Sequence, residues 1–176
     1  MSQIDSTYFN NGLIVVPNLN RPEIKSVLDY YIDFKEDEYL DNVLGYQLKT
    51  EYLTGLQDEP ILDKWTKLRD GAEFTYNNAL YKWKGFVNTA KDSTIAYYVY
   101  FHYVRENNIR LESTGMVMSE NENSMRVSPL LKLVDAWNLM VKHNRTLELF
   151  IKANEADYIN YNPEDCMTKM INQYGI

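Results

Sequence analysis

The sequence predicts a mainly α protein: a small helical bundle with a short β-hairpin, an extended loop between the last two long helices and a C-terminal arm. Three observations predict it. Apolar residues recur at helical spacing in several separate stretches. One stretch, GAEFTYNNALYKWKGF, reads instead as two strands joined by Asn77-Asn78. A polar run, IRLESTGMVMSENENSMRVS, then separates an aromatic helix from a long helix that starts at Pro129.

Taken in order, residues 1–12 are polar and read as an N-terminal arm, and 13–17 as a short extended segment. Asn20 followed by Glu23 forms a candidate capping box, with Pro22 tolerated in the first turn. Ile24, Val27, Leu28 and Tyr31 continue at helical spacing. A second helix is expected to place Leu40, Val43, Leu44, Leu48 and Tyr52 on one face, with Lys35, Glu36, Asp37 and Glu38 solvated near its start. Gly45 inside that helix costs about 1 kcal/mol relative to alanine, which points to a neighbour packed closely against it.

Gly55 and Pro60 bracket a loop, after which Ile61, Leu62, Trp65 and Leu68 make a short amphipathic helix that ends before Gly71. The strands are expected over 72–76 and 80–86. Phe74 and Tyr76 share a face of the first, Tyr81 and Trp83 a face of the second. The helix over about 93–106 carries Tyr97, Tyr98, Val99, Tyr100, Phe101 and Tyr103 around most of its circumference. Such a helix must be covered all round, either as the centre of the domain or with one flank against a neighbouring subunit.

Ser128-Pro129 is a helix start, and Leu130, Val134, Trp137, Val141, Leu147 and Ile151 give a stripe to about residue 154. The division is therefore an arm over 1–12, a helical domain over 13–154 with its hairpin near 72–86 and extended loop near 109–128, and a C-terminal arm over 155–176. In that last segment Tyr158, Tyr161, Met167, Met170, Ile171, Tyr174 and Ile176 are too few for a core of their own. They are expected to dock on this domain or on a partner.

Composition narrows the function. A chain of 176 residues with 45% hydrophobic residues can bury a core as one domain. Fifteen tyrosines supply large apolar bodies with polar tips, suited either to a tyrosine-rich core or to surfaces that partners cover. The net charge of −7 and the interspersed acids around Lys64, Lys67, Arg69, Lys82 and Lys84 argue against tight nucleic-acid binding. An acidic lining is still compatible with a pore through which DNA slides without being held. The single cysteine, Cys166, excludes an intramolecular disulfide framework and a CxxC metal signature. Neither a signal peptide nor a membrane span is expected, so the Asn144-Arg145-Thr146 sequon is read as carrying no glycan.

Catalytic chemistry finds little support. His102 and His143 lie in separate apolar helices without paired metal-ligand spacing and read as structural. No GxSxG or phosphate-binding GxxxxGK[ST] occurs. Asp70 and Glu73 flank Gly71 and are the one carboxylate pair worth posing as a general acid and base, although chance pairs are expected among 25 acidic residues. No catalytic residue, metal or cofactor is therefore expected, and the chain is read as not an enzyme. The 112–127 segment is more informative: Ser113, Thr114 and Gly115 supply a hinge, and Met116, Val117 and Met118 an apolar grip. It reads either as a surface loop or as a partner-binding element that adds a strand to another protein.

Four stretches together resemble a family. DEYLDNVLGYQLKTEYL, WTKLRDGAEFTYNNALYKWKGF, IAYYVYFHYVREN and STGMVMSENENSMRVS, in that order and followed by a long helix, resemble the head-tail connector (adaptor, or head-completion) proteins of tailed bacteriophages, especially the ring proteins of crAss-like phages. The resemblance covers roughly residues 10–154. It implies a structural virion protein at the portal vertex, assembled in the host cytoplasm as a homo-oligomeric, typically twelvefold ring. Its partners would be other copies of itself, the portal protein and the next tail or ring protein, and DNA would cross the lumen without specific binding. Carried onto this chain, 112–127 becomes the loop that reaches a neighbour or the channel, and 155–176 an arm that clasps the portal or an adjacent subunit. The alternative is a tail-completion protein or a small non-catalytic adaptor.

Overall fold

A computed structural model describes residues 2–10, 12, 14–107, 109–112, 115–118 and 129–172. Among these are five α-helices and two antiparallel hairpins: α1 (Pro22–Leu44), α2 (Tyr46–Gly55), α3 (Asp63–Asp70), β1 (Ala72–Tyr76), β2 (Ala79–Trp83), α4 (Thr94–Asn107), β3 (Ile109–Glu112), β4 (Gly115–Met118) and α5 (Pro129–Ala153). The expected mainly helical bundle with a short hairpin is what forms.

The start of the bundle differs from the sequence reading in two ways. The capping box is not made: Arg21 is the N-cap and no side chain caps the helix, while Pro22 opens the first turn as expected. The two helices expected over 23–52 also divide elsewhere. Residues 35–38 contain no helix breaker, so α1 runs through them without interruption. Lys35 and Glu36 are buried rather than solvated. The break falls at Gly45, whose φ of +84° and ψ of 150° suit only glycine, and a Cβ there would meet the Asn162 carbonyl oxygen at 2.7 Å. The close neighbour expected at Gly45 is therefore the C-terminal segment. Lys49, folded back from α2, reaches Asp37 and Asp41 of α1, each at 2.8 Å.

The hairpin has the expected turn, but its second strand is Ala79–Trp83 and ends before Gly85, short of the 80–86 expected. Ala72 pairs with Trp83 and Tyr76 with Ala79. Asn77 and Asn78 both take positive φ (48° and 63°), as a two-residue turn matched to strand twist requires. Phe74 stacks on Tyr81 at 5.6 Å and meets Phe150 of α5 edge-on at 5.4 Å, which holds the hairpin against the bundle. The Trp83 indole donates to the Leu68 carbonyl at 2.9 Å and ties the hairpin to α3.

α4 is the central helix. Residues 94–100 are all buried, packed between α1 and α5, and its last turns emerge half-covered. On α5 the covered stripe is rotated from the expected one: Leu133, Ala136, Met140, Val141, Asn144, Leu147, Phe150 and Ile151 are buried, while Leu130 is exposed.

Both presumed arms belong to the body. Near the N-terminus, Ile4, Tyr8, Phe9, Ile14 and Val16 are buried. A 3-10 turn over Ser6–Phe9 presents Tyr8 and Phe9, and the Val16 amide donates to the Phe9 carbonyl at 3.0 Å. At the other end, residues 155–172 form a belt. Tyr158 packs between Trp65 and Phe150 and donates to the Lys64 carbonyl at 2.7 Å. Asn162 and Glu164 donate backbone N–H groups to the Leu44 and Asn42 carbonyls. The belt then runs beside α5, where Asn144 donates to the Met167 carbonyl, Arg145 to that of Thr168 and Trp137 to that of Lys169. These anchors are backbone groups met at irregular spacing, which no periodic pattern reveals.

Candidate protein-interaction site

The residues singled out from sequence fall into three groups. Ser113, Thr114, Tyr174 and Ile176 lie outside the described residues. Gly115, Met116, Val117 and Met118 form β4, paired antiparallel with β3 so that Leu111 faces Met116 and Arg110 faces Val117. The extended loop near 109–128 thus contains a second hairpin set between α4 and α5, which meets the body chiefly at α4. The third group is corrected by burial. Tyr158 and Met167 lie in the core, and Tyr161 is half-buried beneath the belt, where burial pushes its hydroxyl pKa well up. They hold the tail to its own domain. Ile171 is half-buried and fixed at its backbone, exchanging hydrogen bonds with the Asn138 side chain at 2.9 Å in each direction. Met170 alone of this group is exposed.

Two outward aromatic surfaces were missed. The first is a ridge on the N-terminal half of α1, formed by Val27, Tyr30 and Phe34 at positions i, i+3 and i+7. Tyr30 and Phe34 are 66% and 56% exposed, and their rings stack in parallel at 6.3 Å. Tyr31, one position on, turns inward: it meets Tyr103 edge-on at 5.4 Å and donates to Glu106 at 2.8 Å. Burial and the Glu106 carboxylate push the Tyr31 pKa up to about 12. This contact fixes α1 against the end of α4 and leaves the ridge facing away from it. A signal was present in the sequence. Ile24, Val27, Leu28, Tyr30, Tyr31, Ile32 and Phe34 are more apolar positions than one buried face accommodates.

The second surface is a groove of about 450 Å³ between the end of α4 and the start of α5. Tyr98, Phe101, Leu133, Val134 and Trp137 line it, and Arg105 stands at its mouth, 6.0 Å from the centre of the Phe101 ring. Phe101 and Trp137 are 4.9 Å apart, and the indole N–H is already spent on the Lys169 carbonyl. Tyr98 donates to Glu38 at 2.6 Å, which secures the floor.

The polar groups posed for chemistry are engaged structurally. Burial holds both imidazoles below the usual histidine range. His102 sits 3.5 Å from Glu106, and His143 sits 3.8 Å from Asp92. Asp70 is gripped by the Arg69 guanidinium through two hydrogen bonds of 2.7 and 2.8 Å, and Glu73 is exposed on the hairpin. Among the described residues no three His, Cys, Asp or Glu side chains converge as a metal site would require, and no helix is long and apolar enough to cross a membrane. Asn144 is buried, with its amide accepting from Tyr39 at 2.6 Å and donating to the Met167 carbonyl, so the sequon is closed to an attaching enzyme.

No family model, curated protein or solved structure matches this chain.

Proposed function

We propose that the protein is a non-catalytic structural subunit of a homo-oligomeric ring at the portal vertex of a tailed bacteriophage, where it joins the portal to the tail and extends the DNA channel. The observation that carries this reading is the β3–β4 hairpin inserted between the central helix and the longest helix. A two-stranded hairpin offers a backbone edge to which a neighbouring chain can add a strand, the mode by which strands are added across subunits. Outward aromatic surfaces on both α1 and the α4–α5 side supply the two unlike faces that a ring subunit needs. The net charge of −7 suits a lumen that DNA passes without being gripped.

The proposal is tested on purified virions. The chain should be present in a fixed ratio to the portal protein, and a tag on it should localise to the head-tail junction. Particles that lack the chain yet hold DNA and a tail would refute the reading.

A further inference from the structure

The two outward aromatic surfaces are complementary to each other. The α1 ridge is apolar; the Lys35 ammonium lies 5.2 Å from the Phe34 ring but is spent on Glu38 at 2.9 Å, and acids flank the rest of the ridge. Asp33 and Asp37 lie on the same helix face as Tyr30 and Phe34, one turn or less away. Asp37 is neutralised by Lys49, whereas Asp33 has, among the described residues, the Ser2 hydroxyl as its partner and no cation. The α4–α5 groove is concave and aromatic, and its mouth carries the opposite charge. Arg105 is exposed and pairs with no acid among the described residues, resting over the Phe101 ring instead. One chain thus holds an acid-flanked aromatic ridge and a cation-rimmed aromatic groove. α4 stands between them, so a single molecule cannot bring one onto the other.

We propose that the two surfaces form one interface between copies of this chain: the Val27–Tyr30–Phe34 ridge of one subunit seats in the α4–α5 groove of the next. Tyr30 and Phe34 pack on Phe101, Val134 and Trp137, and Asp33 reaches Arg105. The aromatic contacts supply most of the affinity, and the charge pair sets orientation and partner choice. Because ridge and groove are different patches, the contact is head-to-tail, and repetition gives a closed ring or an open filament rather than a two-fold dimer. This interface rests on the ring reading and specifies which faces build it.

The test uses the full-length chain, with native mass read at several concentrations and in the presence of the portal protein. Phe34→Asp removes the ridge and Arg105→Asp the mouth of the groove. Both residues are solvent-facing, so circular dichroism and the thermal midpoint should stay close to wild type. Each variant alone should weaken self-association about tenfold or more. Mixed together they should form a 1:1 dimer, since each retains the face the other lacks. The double swap Asp33→Arg with Arg105→Asp should recover much of the lost assembly by reversing the pair. An oligomer that survives both single variants, or single variants that fail to pair when mixed, would overturn this interface while leaving the ring reading in place. A wild-type chain that stays monomeric with and without the portal would overturn the ring reading and this interface with it.

Discussion

At the scale of single residues, Glu36 holds the N-terminal segment. Its carboxylate accepts from the Gln3 amide at 2.8 and 3.1 Å and from the Ile4 amide at 3.3 Å, just where the chain begins to bury Ile4, Tyr8 and Phe9. Burial outweighs those bonds and raises its pKa from 4.5 to about 7, with Asp33 adding repulsion and the chain's amino terminus opposing it. The folded state therefore binds this proton more tightly than the unfolded chain. The contribution is full below pH 4.5 and is lost as pH rises through about 7, amounting to about 3 kcal/mol. Glu38 and Asp92, whose pKa values are lowered, act in the opposite sense and only at more acidic pH. Denaturant titrations at pH 5 and pH 8 should show wild type losing stability over this interval and Glu36→Gln losing much less. Identical pH profiles for the two would contradict the assignment.

At the scale of elements, the belt over 155–172 gives the sharpest expectation. Met167 is fully buried beneath α5, and Tyr158 fills the space between α3 and α5. Met167→Ala should cost about 2–5 kcal/mol, as truncations of buried side chains do, and should lower the urea midpoint. A detachable arm would show no such loss. Legibility in the sequence follows the same division. The β1–β2 hairpin was readable because two adjacent asparagines name a turn that needs positive φ. α4 was readable because its aromatics surround it. The continuity of α1 was hidden by a charged run, since charge looks like a surface yet does not stop a helix, and the break falls instead at Gly45, about two to three turns beyond where the pattern placed it. The belt was hidden because its anchors are main-chain groups. The ridge was hidden because Val27 was counted on the buried face with Leu28.

At the scale of the whole molecule, every segment near the termini that the structure describes folds onto one core, so the proposed ring would draw on surfaces that the folded body already presents. Among the described residues these include the β3–β4 hairpin, the α1 ridge and the α4–α5 groove. A pre-formed surface loses little conformational entropy on binding, which favours rigid stacking of subunits over the clasping of neighbours by terminal arms. The measurement that bears most directly on this account is the native mass of the purified chain, alone and after mixing with the portal protein of the same genome. The account expects a portal-bound complex whose added mass is a whole multiple of the 20.8 kDa chain and matches the symmetry of a closed ring. A chain that remains a 20.8 kDa monomer and leaves the portal's mass unchanged would contradict it.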